Sequence, residues 1–258
     1  MVSLVQSQWR VTRTSPTLLG ALGLLIGLLI WTALTHLGGH FITQQLRPVP
    51  SFQALFTLLQ SPIFYEYVFA SLQRVAVGLG GALLIGIPLG LMMGFSPLAQ
   101  QLFTPLFQFL RMISPLSWMP IAVMSFGIGD APIYFLLIFA AVWPILLNTA
   151  HGVQQMNPQW RQLSRSLSAT PLEYLRHVVF PAIRVDILTG CRLAIGVLWI
   201  VLVPCEMLGV DAGLGYLVLD TRDRMAYSEL MATILSIGFL GYLLDSSCRF
   251  LSKKARTK

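Results

Sequence analysis

Three arginines, Arg74, Arg111 and Arg192, fall within or at the edge of stretches otherwise apolar enough to lie in lipid. A charge in hydrocarbon is costly, so such a side chain faces protein, faces a polar route, or snorkels to the interface. A guanidinium beside a polar route would hold a small anion. Arg111 stands one turn before Ser114-Pro115, and Pro115 and Pro120 leave nearby carbonyls without helical donors. In a membrane such carbonyls need protein, water or solute. Arg111, Ser114, Ser117, Trp118 and Met119 are therefore candidates to line a translocation route, although Trp118 and Met119 read equally well as packing residues. Arg192 and Glu206 are further pathway candidates on one later span. Glu206 would repel an anion, which favours pairing with an arginine or shaping a gate. Asp245 is placed to pair with Arg249, one helical turn on.

Other chemistries lack their residues. Lysine occurs only as Lys253, Lys254 and Lys258, so there is no G-K-[ST] phosphate loop and no buried Schiff-base lysine. Neither H-E-x-x-H nor G-x-S-x-G occurs. His36, His40, His151 and His177 have no metal-ligand spacing, and Cys191, Cys205 and Cys248 lie in apolar runs as small hydrophobes. The expectation is a chain that is not an enzyme and binds no metal or cofactor of its own.

The elements that must position these residues are membrane helices. Of 258 residues, 55% are hydrophobic and 10% charged, against about 25% charged in soluble domains. That excludes a cytosolic enzyme, a nucleic-acid module and a disordered chain. The net charge of +7 follows from basic loops rather than a nucleic-acid surface. Charge-free intervals predict six spans near residues 17–37, 70–94, 100–126, 132–152, 185–208 and 229–251, the third kinked or broken by its prolines. The segment 1–16 would precede the transmembrane region 17–251, and a basic tail, 252–258, would follow it. The first span reads as an uncleaved helix, not a signal peptide. No fixed-period repeat stands out. Basic residues concentrate near the termini and in loop 153–184, whereas the opposite side carries only Arg47, Arg222 and Arg224. Both termini and loop 153–184 should therefore face the cytoplasm, and loops 38–69 and 209–228 the outside.

Loop 153–184 is the longest polar piece on the cytoplasmic side. Asn157 and Pro158 open a short helix, on which Leu163 and Leu167 share a face. Thr170-Pro171 opens a second short helix, expected to end at Pro181. Such a hairpin either docks onto a cytoplasmic partner or rests on lipid headgroups.

The same loop resembles that of the inner-membrane permease subunits of ABC importers. Their frame is E-A-A, three residues, G, nine residues, then I-x-L-P. Here it falls on Gln162-Leu163-Ser164, Ser168, Val178, Phe180 and Pro181, with the spacing kept and only the proline identical. The stretches Ser114-Pro115-Leu116-Ser117-Trp118-Met119-Pro120, Phe126-Gly127-Ile128-Gly129-Asp130-Ala131-Pro132, Trp143 to Thr149, Thr189 to Leu193, Glu206-Met207-Leu208 and Gly213 to Tyr216 are similar to the nitrate, sulfonate, taurine and bicarbonate branch. The resemblance covers roughly residues 50–251. It implies an all-α polytopic protein of the MetI-like type I importer permease fold, in a bacterial inner membrane. It also implies that Gln162, Leu163, Ser164, Leu167, Ser168, Thr170, Pro171 and Pro181 belong to a coupling element that docks on a separate ATPase. The implied partners are a second permease chain, two ATPase subunits carrying ATP and Mg, and a binding protein outside. The family's cargoes include nitrate, bicarbonate, taurine, aliphatic sulfonates and some heterocycles, so the resemblance does not name the ligand; a small nutrient anion is the expectation. The other reading is an ATP-independent carrier or channel, which has no need of a helical knob in that register.

Overall fold

The computed structural model describes residues 16–37 and 44–256; Arg10, Arg13, His40 and Lys258 lie outside that range. Among the described residues the regular structure is helical. Five helices are long and apolar enough to cross a membrane, namely Leu19–Leu37, Pro62–Phe95, Asp130–Gln154, Pro171–Glu206 and Tyr227–Phe250. They belong to α1 (Pro16–Leu37), α3 (Pro62–Phe95), α6 (Asp130–Gln154), α9 (Phe180–Glu206) with its N-terminal extension, and α11 (Tyr227–Arg256). The shorter helices are α2 (Pro48–Gln60), α4 (Pro97–Met112), α5 (Met119–Phe126), α7 (Pro158–Ser166), α8 (Pro171–Tyr174) and α10 (Leu214–Asp223).

Prolines punctuate this order as their missing N–H demands. Pro48, Pro62, Pro97, Pro115, Pro158 and Pro171 each stand in a first turn, where no intrahelical donor is required. Between α4 and the 3-10 turn Pro115–Trp118 the helix breaks, and the two halves meet at 85°. This is the break the prolines predict, and it lies at Ile113 and Ser114.

The bent pair crosses the membrane rather than dipping into it. Gly78 of α3 abuts Leu137 of α6, and Gly94 abuts Val153, so α3 and α6 run in the same direction. The intervening chain must therefore return along α6: α4 carries it to the level of Trp143 in the middle of α6, and the turn and α5 carry it on to Phe135 near the start of that helix. With α9 antiparallel to α6, through Gly152 on Asp186 and Gly190 on Pro144, the described chain has six candidate crossings when the bent pair is taken as one span.

The α3–α6 seam is the centre of the fold, and it rests on a spacing of four that the sequence reading passed over. Gly78, Ala82, Gly86, Gly90 and Gly94 are all small and all on one face of α3. A methyl group on Gly90 would come within 2.6 Å of Thr149 Cβ and 2.7 Å of the Leu146 carbonyl oxygen. Lipid tails give no hydrophobic drive for helix association, so close approach over small residues supplies it through van der Waals packing. Ile133, Leu136, Leu137 and Ile145 of α6 then meet Leu198 and Leu202 of α9 as a fully buried core, while Leu146 packs on Met93 of α3.

Several boundaries differ from expectation. The second span begins at Pro62 rather than near 70, because Arg74 is paired inside the protein and does not end the apolar helix. The loops expected at 38–69 and 209–228 contain α2 and α10, short helices that pack against α11. The second helix of loop 153–184 does not end at Pro181. It runs from Pro171 through a π turn at Leu175–Val179 directly into α9. A proline lacks the donor its helix needs and crowds the carbonyl four residues back; the wider turn just ahead of Pro181 accommodates both.

Candidate functional site

Helix α7 and the turn after it form a knob beyond the end of the α3–α6 seam. Asn157 Oδ1 accepts from the Gln159 N–H at 2.9 Å and caps the start of α7. At the other end, the Ala169 N–H reaches the Ser164 carbonyl and the Ser168 N–H reaches the Arg165 carbonyl, both at 3.0 Å. That pair of bonds is a Schellman closure, which needs a left-handed residue at its centre. Ser168 takes that place with φ of 51°. It is also the position where the permease frame carries glycine. The geometry that favours glycine is therefore present, occupied here by a residue with a Cβ. Next comes a capping box. Thr170 Oγ1 accepts from the Glu173 N–H at 3.3 Å, and the Glu173 carboxylate accepts from the Thr170 N–H at 2.8 Å.

These closures hold an apolar stripe away from the protein. Leu163 is 60% exposed, Leu167 73% and Leu172 72%, with Trp160 beside them. Gln162, Thr170, Pro171 and Pro181 are exposed as well, whereas Ser164 is buried. Ser164 lines a cleft of about 460 Å³ beneath α7 with Arg161, Arg165, Phe95 and Tyr174. Phe95 and Tyr174 meet at 6.3 Å, so the knob is seated on the end of α3.

The pathway candidates do not form one group. Arg111 ends α4 and is exposed on the single chain, with no acidic partner among the described residues. Since α4 rises from the side of the knob, Arg111 at its far end stands on the flank of the bundle at the level of Trp143, in the middle of α6. Ser114 and Ser117 are exposed at the break, and Trp118 packs on Phe139 at 5.6 Å. Met119 is only 6% exposed and lies in the core cluster with Ala122 and Ile133, so it is a packing residue. Arg192 pairs with Asp245 at 2.9 Å, and Asp245 also pairs with Arg249 at 2.7 Å.

Glu206 does not line a route in this conformation either. It is fully buried, and one carboxylate meets Arg74 Nη1 at 2.7 Å, Ser71 Oγ at 2.8 Å and the Gly215 N–H at 2.9 Å. Arg74 Nε reaches Asp130 at 2.8 Å, and Nη1 also donates to the Ala212 carbonyl at 2.6 Å. Gly213, at φ of 125°, closes the turn against this pair. A Cβ there would stand 2.6 Å from the Glu206 carboxyl carbon. The clamp thus ties α3, α6, α9 and the start of α10 at the end opposite the knob. Sequence reasoning placed Arg74 in a span and expected an arginine for Glu206. It had no means of pairing residues 132 positions apart. Beyond the clamp, α2, the start of α3, α10 and α11 enclose a cleft bordered by Asp220, Arg224 and Glu229. Hydrogen bonding to Asp220 raises the Arg224 guanidinium above its ordinary value.

A broken-span bundle of six candidate crossings, with an exposed apolar knob at one end and a buried charge clamp at the other, is the build of a multi-pass transport permease. Residues 86–257 match the family described as binding-protein-dependent transport system inner membrane component, and the chain belongs to that family. It is 33% identical to the nitrate import permease protein NrtB of Synechocystis over 240 residues, covering 90% of this chain and 86% of that protein. It is 38% identical to the bicarbonate transport system permease protein CmpB of Synechococcus elongatus over 197 residues, covering 76% and 70%. To the taurine transport system permease protein TauC of Escherichia coli it is 29% identical over 255 residues, covering 96% and 91%. Among solved structures, the inward-facing MetNI methionine ABC transporter superposes with a TM-score of 0.62 at 15% identity, over 75% of this chain and 96% of that one. This last likeness establishes the fold.

Proposed function

We propose that this chain is the permease subunit of an ATP-driven importer that moves a small nutrient anion by alternating access. The observation that carries the reading is the exposed pair Leu163 and Leu167 on a helix whose two ends are both closed by hydrogen bonds, with Leu172 exposed on the short helix that follows. An apolar stripe of this kind on a polar helix needs a partner surface. The knob would enter a groove on a separate ATPase subunit, where ATP and Mg are held. Gln162, Ser168, Thr170 and Pro171 would border the contact, and Pro181 would join it to α9, so that movement of the ATPase reaches a membrane helix directly. Two permease chains, two ATPase subunits and a binding protein outside would complete the machine. Both termini, the tail 252–258 and the knob would face the cytoplasm, as the basic loops argue. The outer face built by α2 and α10 would receive the binding protein. The names of the relatives direct the cargo toward the nitrate, bicarbonate or taurine type.

Replacing Leu163 and Leu167 together by Asp tests the reading. Two desolvated charges in an apolar groove cost several kcal/mol. ATPase association should be lost while the chain still inserts into the membrane. Unchanged association would mean that the knob merely rests on lipid.

A further inference from the structure

Two cavities meet at Arg111. One, of about 440 Å³, lies between the break after α4, the middle of α6 and the flank of α9. The other, of about 70 Å³, lies on the α4 side and adds Thr104 and Gln108. Arg111 and Trp143 border both. Trp143 is about nine-tenths buried, wedged between Phe107 at 5.7 Å and Phe139 at 5.5 Å. Its indole N–H is buried and has no acceptor among the described residues. Unpaired buried donors are rare, and each calls for a missing acceptor. Asn148, also on the wall, already donates its amide to the Pro144 carbonyl at 2.8 Å. Among the described residues no Asp or Glu borders either cavity; Asp130, Glu206 and Asp245 are engaged with Arg74 and Arg192.

We infer that Arg111 and the indole N–H of Trp143 are the anion-holding pair of the route, and that they select a singly charged oxyanion without an ammonium group. This deepens the importer reading and rests on it. A guanidinium offers two parallel donors to an oxyanion, and the indole offers a third. In a wall that is otherwise mostly apolar, one positive charge balances one negative charge. A dianion would keep an uncompensated charge out of water. A zwitterion such as an aminosulfonate would place its ammonium where no carboxylate receives it. Of the cargo types named for the relatives, nitrate and bicarbonate meet these conditions and taurine does not.

The test is equilibrium dialysis of 15N-nitrate, 13C-bicarbonate and 14C-taurine against the assembled transporter in nanodiscs, without binding protein. At least one of the two oxyanions should be retained, and taurine should not. Trp143→Phe, which keeps an aromatic ring between Phe107 and Phe139, should weaken that retention about tenfold, as should Arg111→Gln. Co-elution with the ATPase subunit confirms that each variant has folded. Retention of taurine equal to that of the oxyanions, retention of neither oxyanion, or full retention by both variants would overturn the inference. None of these outcomes touches the importer reading, which stands or falls with ATPase association.

Discussion

Glu206 offers the sharpest test of how the end of the bundle opposite the knob is held. Replacing it with Ala leaves Arg74 buried, with its Asp130 partner half-exposed and the Ser71 hydroxyl and Gly215 N–H unanswered. Breaking a buried ion pair on one side costs about 3–5 kcal/mol. At about 2–4 °C per kcal/mol for a chain of this size, the melting temperature should fall by about 10 °C. Glu206→Gln keeps the shape but sets an amide N–H against a donor, and should cost about 1–3 kcal/mol. The double variant Arg74→Met with Glu206→Met removes both buried charges. Asp130 is then freed into water, where it is readily solvated. That variant should recover much of the loss, since an apolar pair often replaces a buried ion pair without penalty. Thermal unfolding of the detergent-purified chain, read as a double-mutant cycle, measures the coupling. If the two single losses simply add in the double variant, the residues act independently and the clamp is not a unit.

Three further outcomes follow from local geometry. Gly90→Ala should push α3 off α6 and cost about 1–3 kcal/mol in the same melting assay, because a backbone carbonyl blocks the new methyl group; Gly80→Ala, with nothing within 4 Å, should leave the melting temperature unchanged. Ser168→Gly relieves a left-handed residue in the Schellman closure and should stabilise the knob by about 0.5–1 kcal/mol, seen as slower amide exchange across residues 158–169. Thr170→Ala removes one arm of the capping box and should cost about 1 kcal/mol, speeding exchange at the start of α8.

The membrane bundle was legible because apolar length and proline position act locally. The broken third span came from Pro115 and Pro120, and the start of α7 from Asn157 and Pro158. Misread boundaries arose where tertiary contacts override local rules. Arg74 looked like the edge of a span because its partners, Asp130 and Glu206, come from distant segments. Pro181 looked like a helix end because a π turn cannot be read from composition. The fourfold spacing of Gly78, Ala82, Gly86, Gly90 and Gly94 was present in the sequence and does predict a close helix contact. Met119 sits in a proline-rich break as an exposed residue would, and only the packing of α5 on α6 turns it inward.

The central claim is that this chain moves its cargo only when a separate ATPase drives it through the knob. Uptake of 15N-nitrate and 13C-bicarbonate into proteoliposomes tests that claim most directly, using the chain alone or assembled with its ATPase and binding protein. The account predicts accumulation only in the assembled vesicles and only with ATP. Accumulation by the chain alone, driven by a proton or sodium gradient without nucleotide, would contradict it.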